Sequence, residues 1–230
     1  MSRPLTKYIL LWRLPASLPE DELLNTARST ITPTLQTLQP AGLKFSLSTG
    51  RPRWSYLPLQ RQSLLMISLW LDGEGQESTI RACLPDRPGP AMIHAVQESV
   101  PVAYTRTWPD GEASPGITLL TIMRRNPSLN PAQFLEEWHG HHTPMAMAIH
   151  PLWNYIRNVP DGTGGDGPDG IVEEHFRQRA DPLNPARMFG GLLAMLPNML
   201  RVGRHVSHFL DLRRCENYLL REYWIQSPIT

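Results

Sequence analysis

At 230 residues, 41% of them hydrophobic, the chain can fold as one large domain or two small ones around a core of ordinary depth. A formal net charge of +1 excludes a field-driven nucleic-acid binder. Between Arg177 and Glu222 eight arginines stand against four acids. They read as a solvated surface, because no nucleic-acid reading module interleaves them. The only lysines are Lys7 and Lys44. Cys83 and Cys215 lie far apart and outside any Cys-x-x-Cys pattern, which points to two reduced, buried thiols and away from zinc. The apolar run from Tyr8 to Trp12 is too short for a secretory core, and no stretch reaches the roughly 20 apolar residues of a membrane span. The expectation is a soluble cytoplasmic protein with neither nucleic acid nor membrane as a partner.

Hydrophobic periodicity places the predicted elements in order. Residues 8–13 read as a strand, and Pro15-Ala-Ser-Leu-Pro19 as a turn. From Glu20, Leu23, Leu24, Ala27, Ile31 and Leu35 fall at helical spacing. Residues 43–48 alternate as a strand does, residues 63–71 form a strand around Ile67, Leu69 and Trp70, residues 77–83 a short helix, and residues 96–107 a further strand. Residues 109–116, Pro-Asp-Gly-Glu-Ala-Ser-Pro-Gly, make a turn-rich linker. The series then begins again with a strand at 117–123 and a helix that Asn130 can cap, with Pro131 in its first position. Strands at 153–159 and 170–176, helical material in 185–202 and a closing strand at 218–225 complete it.

A repeated β-α-β-β-α-β outline is the ferredoxin-like unit. Its helices cover only one face of its sheet, and a sister sheet in the same chain can cover the other. The expected fold is therefore α+β. It has two tandem ferredoxin-like units, residues 1–110 and 111–230, packed sheet to sheet as an intramolecular α+β barrel.

Proton-moving groups concentrate in Phe134-Leu-Glu-Glu-Trp138-His-Gly-His-His142-Thr-Pro144, His150-Pro-Leu-Trp-Asn-Tyr155 and Asp169-Gly-Ile-Val-Glu173. Phe134, Trp138, His141, His142 and Met145 fall within about a third of the helical circumference, whereas His139 points away. Pro144 lacks an N–H and crowds the Gly140 carbonyl, so the helix is expected to break and Thr143-Pro144 to open a new turn. At that break His142 can leave the core stripe for a cavity, with Tyr155 and Glu173 as acid–base company. The plainer reading, a hydrogen-bonded core histidine, stays open on residue types alone. A metal is not expected, because no histidine pair here has the i,i+4 zinc spacing and Gly140 and Pro144 disturb the i,i+3 pair His139/His142. His205 and His208 read as surface residues.

Taken together, Arg125-Asn-Pro-Ser-Leu-Asn-Pro-Ala-Gln-Phe134, Trp138, His142-x-Pro144, His150-Pro-Leu-x-x-Tyr155-x-x-Asn158 and Asp169-Gly-Ile-Val-Glu173 resemble the EthD domain family over roughly residues 116–226. Phe209-Leu-Asp211 and Glu222 fit its C-terminal pattern. The resemblance implies the dimeric α+β barrel superfamily, with His142, Tyr155 and Glu173 turned toward the barrel pocket. His139, His141 and the glycine-rich loop 160–170 depart from the family pattern. That loop joins Tyr155 to Glu173 and is a candidate lid. The first half has no counterpart of Trp138 or His142 on its helix and resembles a degenerate repeat, so one working pocket per chain is expected, with the first half as its opposite wall.

No dinucleotide fingerprint or P-loop occurs, and no cofactor is expected. Superfamily relatives include cyclases, dehydratases, decarboxylating enzymes, isomerases and cofactor-free monooxygenases. The resemblance therefore implies a cofactor-independent enzyme acting on a small apolar carbonyl or aromatic compound by cyclisation, dehydration, lyase or oxygenation chemistry. In this reading His142 is the base, Glu173 its orienter or proton partner, and Tyr155 the donor to a developing enolate or phenolate oxygen. Trp138, Met145, Trp153, Phe176 and His141 are candidate substrate-lining residues. A haem-binding barrel protein, a non-catalytic accessory protein of an oxidative degradation pathway, and a further homodimer are left open.

Overall fold

A computed structural model describes residues 4–14, 19–50, 52–85, 91–162 and 167–228. The first half runs β1 (Leu5–Leu14), α1 (Glu20–Thr26), α2 (Thr32–Gln36), β2 (Gly42–Ser48), β3 (Ser63–Asp72), α3 (Glu77–Cys83) and β4 (Met92–Val102). The second half runs β5 (Ile117–Met123), α4 (Pro131–Leu135), α5 (Thr143–Ile149), β6 (Leu152–Pro160), β7 (Gly170–Phe176), α6 (Pro185–Met188), α7 (Met195–Phe209) and β8 (Glu216–Gln226). The expected turn at residues 15–19 lies, for residues 15–18, outside the described residues. No helix of the described residues is long and apolar enough to cross a membrane.

The eight strands form one closed barrel in the order β1-β3-β2-β8-β5-β7-β6-β4. Each half contributes a run with its fourth strand beside its first and its third beside its second, and every pair is antiparallel. The halves do not stack face to face as open sheets. They hydrogen-bond edge to edge, through β2–β8 at one seam and β4–β6 at the other. Closure pairs the N–H and C=O groups that open edges would leave exposed. The strand expected at residues 96–107 is Met92–Val102 instead, because residues 92–96 pair with β1 and the ladder to β6 becomes irregular between Ser99 and Val102.

Strand alternation sorts side chains into two environments. Tyr8, Leu10, Trp12 and Leu14 point outward and pack on Leu23, Ala27, Ile31, Leu35 and Ile80 of the first-half helices. Phe134, Trp138 and Phe209 cover Met123, Tyr155 and Val172 in the second half. A further cluster, with Ile9, Leu11, Leu64, Met66, Leu120, Ile122, Ile171 and Leu220, contains strand residues only and fills the barrel interior.

Beyond this apolar plug the interior is charged. Lys7 and Lys44 are both buried. Lys44 Nζ lies 2.8 Å from Glu173 Oε2 and 3.0 Å from Glu222 Oε2, while Lys7 Nζ lies 2.6 Å from Glu98 Oε1 and 3.2 Å from Glu173 Oε1. Burial alone would lower the Lys44 pKa, but Glu173 and Glu222 hold it well above the usual lysine value. The lysines come from the first half and Glu173 and Glu222 from the second, so this network also ties the halves together.

Candidate functional site

The site begins at the cap of the long second-half helix. Asn130 Oδ1 accepts from the Gln133 backbone N–H and Gln133 Oε1 from that of Asn130, both at 2.9 Å, with Pro131 following. Residues 131–149 are then helical without interruption, so the break expected at Pro144 does not occur. Instead Glu136–His142 widens into a π-helical turn between α4 and α5. Pro144 has no N–H to offer the Gly140 carbonyl, and one extra residue in the turn absorbs the mismatch. Thr143 Oγ1 donates to the Trp138 carbonyl at 2.9 Å.

The first half repeats this device. Ala27–Ile31 is π-helical, Thr32-Pro33 follows, and Thr32 Oγ1 donates to the Ala27 carbonyl at 3.3 Å. Aligning the two Thr-Pro pairs sets Ala27 against Trp138 and Ile31 against His142. Both first-half residues are buried in its core.

The pocket is a cavity of about 290 Å³ between the outer face of the second-half strands and their helices. It is at the low end of the ~300–1,000 Å³ typical of ligand sites, which favours a small ligand. Met123, Val172, Met188, Phe189, Val202, Val206 and Phe209 give it apolar walls, and Trp138, His142, His150, Tyr155 and Glu174 carry its polar groups. Among the described residues of the first half, Leu57 and Pro58 alone reach it, so the expected opposite wall shrinks to one loop. Larger hollows of about 410, 730 and 440 Å³ include exposed residues such as Arg61, Glu74 or Arg213, and one of about 490 Å³ lies among the half-buried rings of Tyr104, Trp108 and Trp224.

Burial sets the electrostatics of the cavity. It pushes His142 down to about 3, with His205 and His150 adding to the effect, so the imidazole is neutral at pH 7. Its Nδ1 is buried and has no partner among the described residues. Burial pushes Tyr155 up to about 12, and the Glu174 carboxylate acts the same way. The Trp138 indole N–H donates to the Tyr155 oxygen at 3.4 Å. Glu174 is buried, and burial raises its pKa against a smaller opposing pull from His150. His150 Nδ1 lies 2.9 Å from the Met188 carbonyl. A carbonyl only accepts, so Nδ1 carries a proton.

His142, Tyr155 and Trp138 thus meet as the sequence suggested, but Glu173 does not join them. Its side chain points into the barrel, where Lys7, Lys44 and Asn158 hold it, while its neighbour Glu174 faces the cavity. One residue along a strand reverses the face. Trp153 lies with Tyr104, Trp108 and His175, rings 5.1, 5.7 and 5.6 Å away, and does not line the cavity. Met145 and Phe176 are packed in the adjoining core. His141 is at the surface, 3.3 Å from Glu137, which His205 and His208 also approach at 3.6 and 3.7 Å. His139 is half-buried against Trp138. Among the described residues no group of three or more His, Cys, Asp or Glu is arranged to hold a metal ion. Of the candidate lid 160–170, residues 163–166 lie outside the described residues.

Sequence reasoning missed Glu174 and gave His150 no role, although both stand in or beside the motifs. All seven residues of β7 are buried, so no hydropathy alternation marks its two faces.

No protein-family model matches the chain, and no curated protein matches it in sequence. Solved structures do. An anthrone oxidase-like protein is 11% identical, with a TM-score of 0.59 over 99% of both chains. A candidate monooxygenase from Fusobacterium nucleatum is 8% identical, with a TM-score of 0.53 over 97% of this chain and 94% of that one. Another from Lactobacillus acidophilus is 9% identical, with a TM-score of 0.51 over 96% and 97%. At such identities the likeness is one of fold, that of the dimeric α+β barrel proteins, here closed within one chain.

Proposed function

We propose that the chain is an oxygenase-type enzyme. It would remove a proton from a small, flat, largely apolar aromatic carbonyl or phenol in the second-half cavity and expose the resulting carbanion to dioxygen. In this reading each half is a ferredoxin-like unit, and the EthD resemblance marks the half that kept its pocket. The observation that carries the proposal is Glu174, a buried carboxyl that no described residue hydrogen-bonds, facing an apolar cavity beside Tyr155. A carboxyl that no described residue hydrogen-bonds and that opens on an apolar cavity is suited to work on something that enters. The names of the structural neighbours, monooxygenase and anthrone oxidase-like, point to the same reaction type.

Glu174 takes over the base role first considered for His142. A base held near pKa 3 gives away most of the driving force for proton abstraction at neutral pH, whereas a raised carboxyl gains it. The carboxylate removes a C–H proton next to the carbonyl, and the electron pair moves onto the substrate oxygen. Tyr155 donates to that oxygen. Dioxygen then adds to the carbon, and loss of water leaves a new C=O. One oxygen atom is retained, the other leaves as water, and the CH2 carbon supplies the four electrons.

Oxygen uptake with anthrones, naphthols and β-diketones tests this. Glu174→Gln should lose about 10²–10⁴-fold in turnover, as expected for removal of a general base. Turnover of the intact enzyme should fall as pH drops through the raised Glu174 pKa. A folded Glu174→Gln protein with unchanged turnover would sink the assignment.

A further inference from the structure

The segment that roofs the cavity has a second face. Met188, Phe189, Val202 and Val206 line the cavity from within. On the outside, Leu192, Leu193, Leu196 and Leu200 are 81%, 98%, 59% and 71% exposed. Leucines are normally buried, and four bare ones in nine residues form a contiguous apolar patch. Leu196 and Leu200 follow each other at four-residue spacing on α7, Arg204 continues the row, and Leu192 lies in the turn just before it. Leu192 and Leu193 sit on a turn entered through Gly190 and Gly191, whose φ values of 84° and 99° suit glycine. That turn is a tip, and its two leucines touch little of the protein.

We infer that this outer face is a docking surface for an anionic lipid membrane. Arg201 and Arg204 are exposed and ion-paired to none of the described residues. No Asp or Glu occurs from residue 182 to residue 210. Apolar side chains on a tip, followed by unpaired arginines on the same helix, are the chemistry of an interfacial anchor. A second copy seated on the patch would bring the same arginines and, in this segment, no acid to meet them. Lying on a membrane requires no spanning helix, so the sequence offered no sign of it: only the fold shows these leucines to be bare. Docking goes beyond the proposed reaction and stands without it. Its use, delivery of a bilayer-dissolved apolar substrate to the cavity beneath, rests on that reading.

The test is flotation of the purified full chain with phosphatidylcholine vesicles, with and without phosphatidylglycerol, at low and high salt. The expected result is binding to the anionic vesicles that salt weakens. Arg201→Ala/Arg204→Ala should cut partitioning roughly 30-fold, taking about 1 kcal/mol per arginine near the surface. Leu192→Asp/Leu193→Asp should cut it about a hundred-fold or more. Circular dichroism and turnover of a water-soluble substrate should remain as in the parent, because neither leucine lines the cavity. No binding of the parent chain, or equal binding of the leucine variant, overturns the inference. So does a concentration-dependent dimer that the leucine variant dissolves, since a second copy would then own the patch. Loss of vesicle binding leaves the Glu174 experiment untouched, so the two proposals fail separately.

Discussion

Replacing Lys44 by methionine removes one of two cations that face Glu98, Glu173 and Glu222 inside the barrel. Methionine keeps most of the side-chain length, so charge changes far more than volume. Glu173 would retain Lys7 at 3.2 Å and the Asn158 amide at 3.1 Å. Glu222 would retain the Tyr104 and Ser114 hydroxyls but no contacting cation. In the intact protein burial pushes Glu173 upward, yet Lys44 and then Lys7 outweigh it and hold its pKa at about 2. A depression of that size corresponds to roughly 3 kcal/mol, and breaking one partner of a buried pair costs about 3–5 kcal/mol. We therefore expect Lys44→Met to lose about 3–4 kcal/mol at pH 7. The sign with pH follows from the depressed carboxylate. Its stabilisation is complete above its ordinary value of 4.5 and disappears as pH falls toward 2, so the deficit of the variant shrinks through that window. Urea unfolding followed by tryptophan fluorescence at pH 7 and pH 3 measures both. A deficit below about 1 kcal/mol at pH 7, or one equal at the two pH values, would refute the reasoning.

Gly170→Ala should cost about 1–3 kcal/mol by overpacking, because its Cβ would lie 2.6 Å from both Met123 Cε and Trp138 Cζ3. Thermal melts read the loss, and an unchanged midpoint would mean that the indole has more room than the packing shows. For His142, imidazole proton resonances should show no titration between pH 8 and pH 5, since its folded pKa is about 3. Its unfolded form takes up a proton near 6.5, so this residue makes the fold lose stability as pH falls from about 6.5 to 3. A midpoint near 6.5 in the folded protein would show the ring to be in water.

The strand and helix series was readable because its signals are local. Residues 77–83, 117–123 and 170–176 carry their boundaries in Gly, Pro and capping residues, and Asn130 with Gln133 builds the expected capping box. What depended on distant partners was not readable. Glu173 and Glu174 are adjacent carboxylates on a wholly buried strand, and only the ladder decides which one enters the barrel: Glu173 pairs with Leu120, an interior residue, and Glu174 with Leu119, an outer one. Pro144 misled for a related reason. Proline forbids one α-helical hydrogen bond locally, but a π-helical turn, with Thr143 donating to the Trp138 carbonyl and Trp138 packed in the core, carries the helix past it.

The two halves differ in what one shared backbone device presents. Both long helices hold a π-helical turn ahead of a Thr-Pro pair, so the backbone device is common to both. In the first half the turn presents Ala27 and Ile31 to a core that Tyr8, Trp12 and Phe45 already fill. In the second it presents Trp138 and His142, and the space beside them stays open because α7 crosses with valines and Phe209 rather than closing on the sheet. The halves also divide the charge: the first supplies both buried lysines and the second the two buried glutamates that meet them. Unlike charges thus bind one half to the other, and unlike side-chain volumes leave a cavity beside the second-half helix.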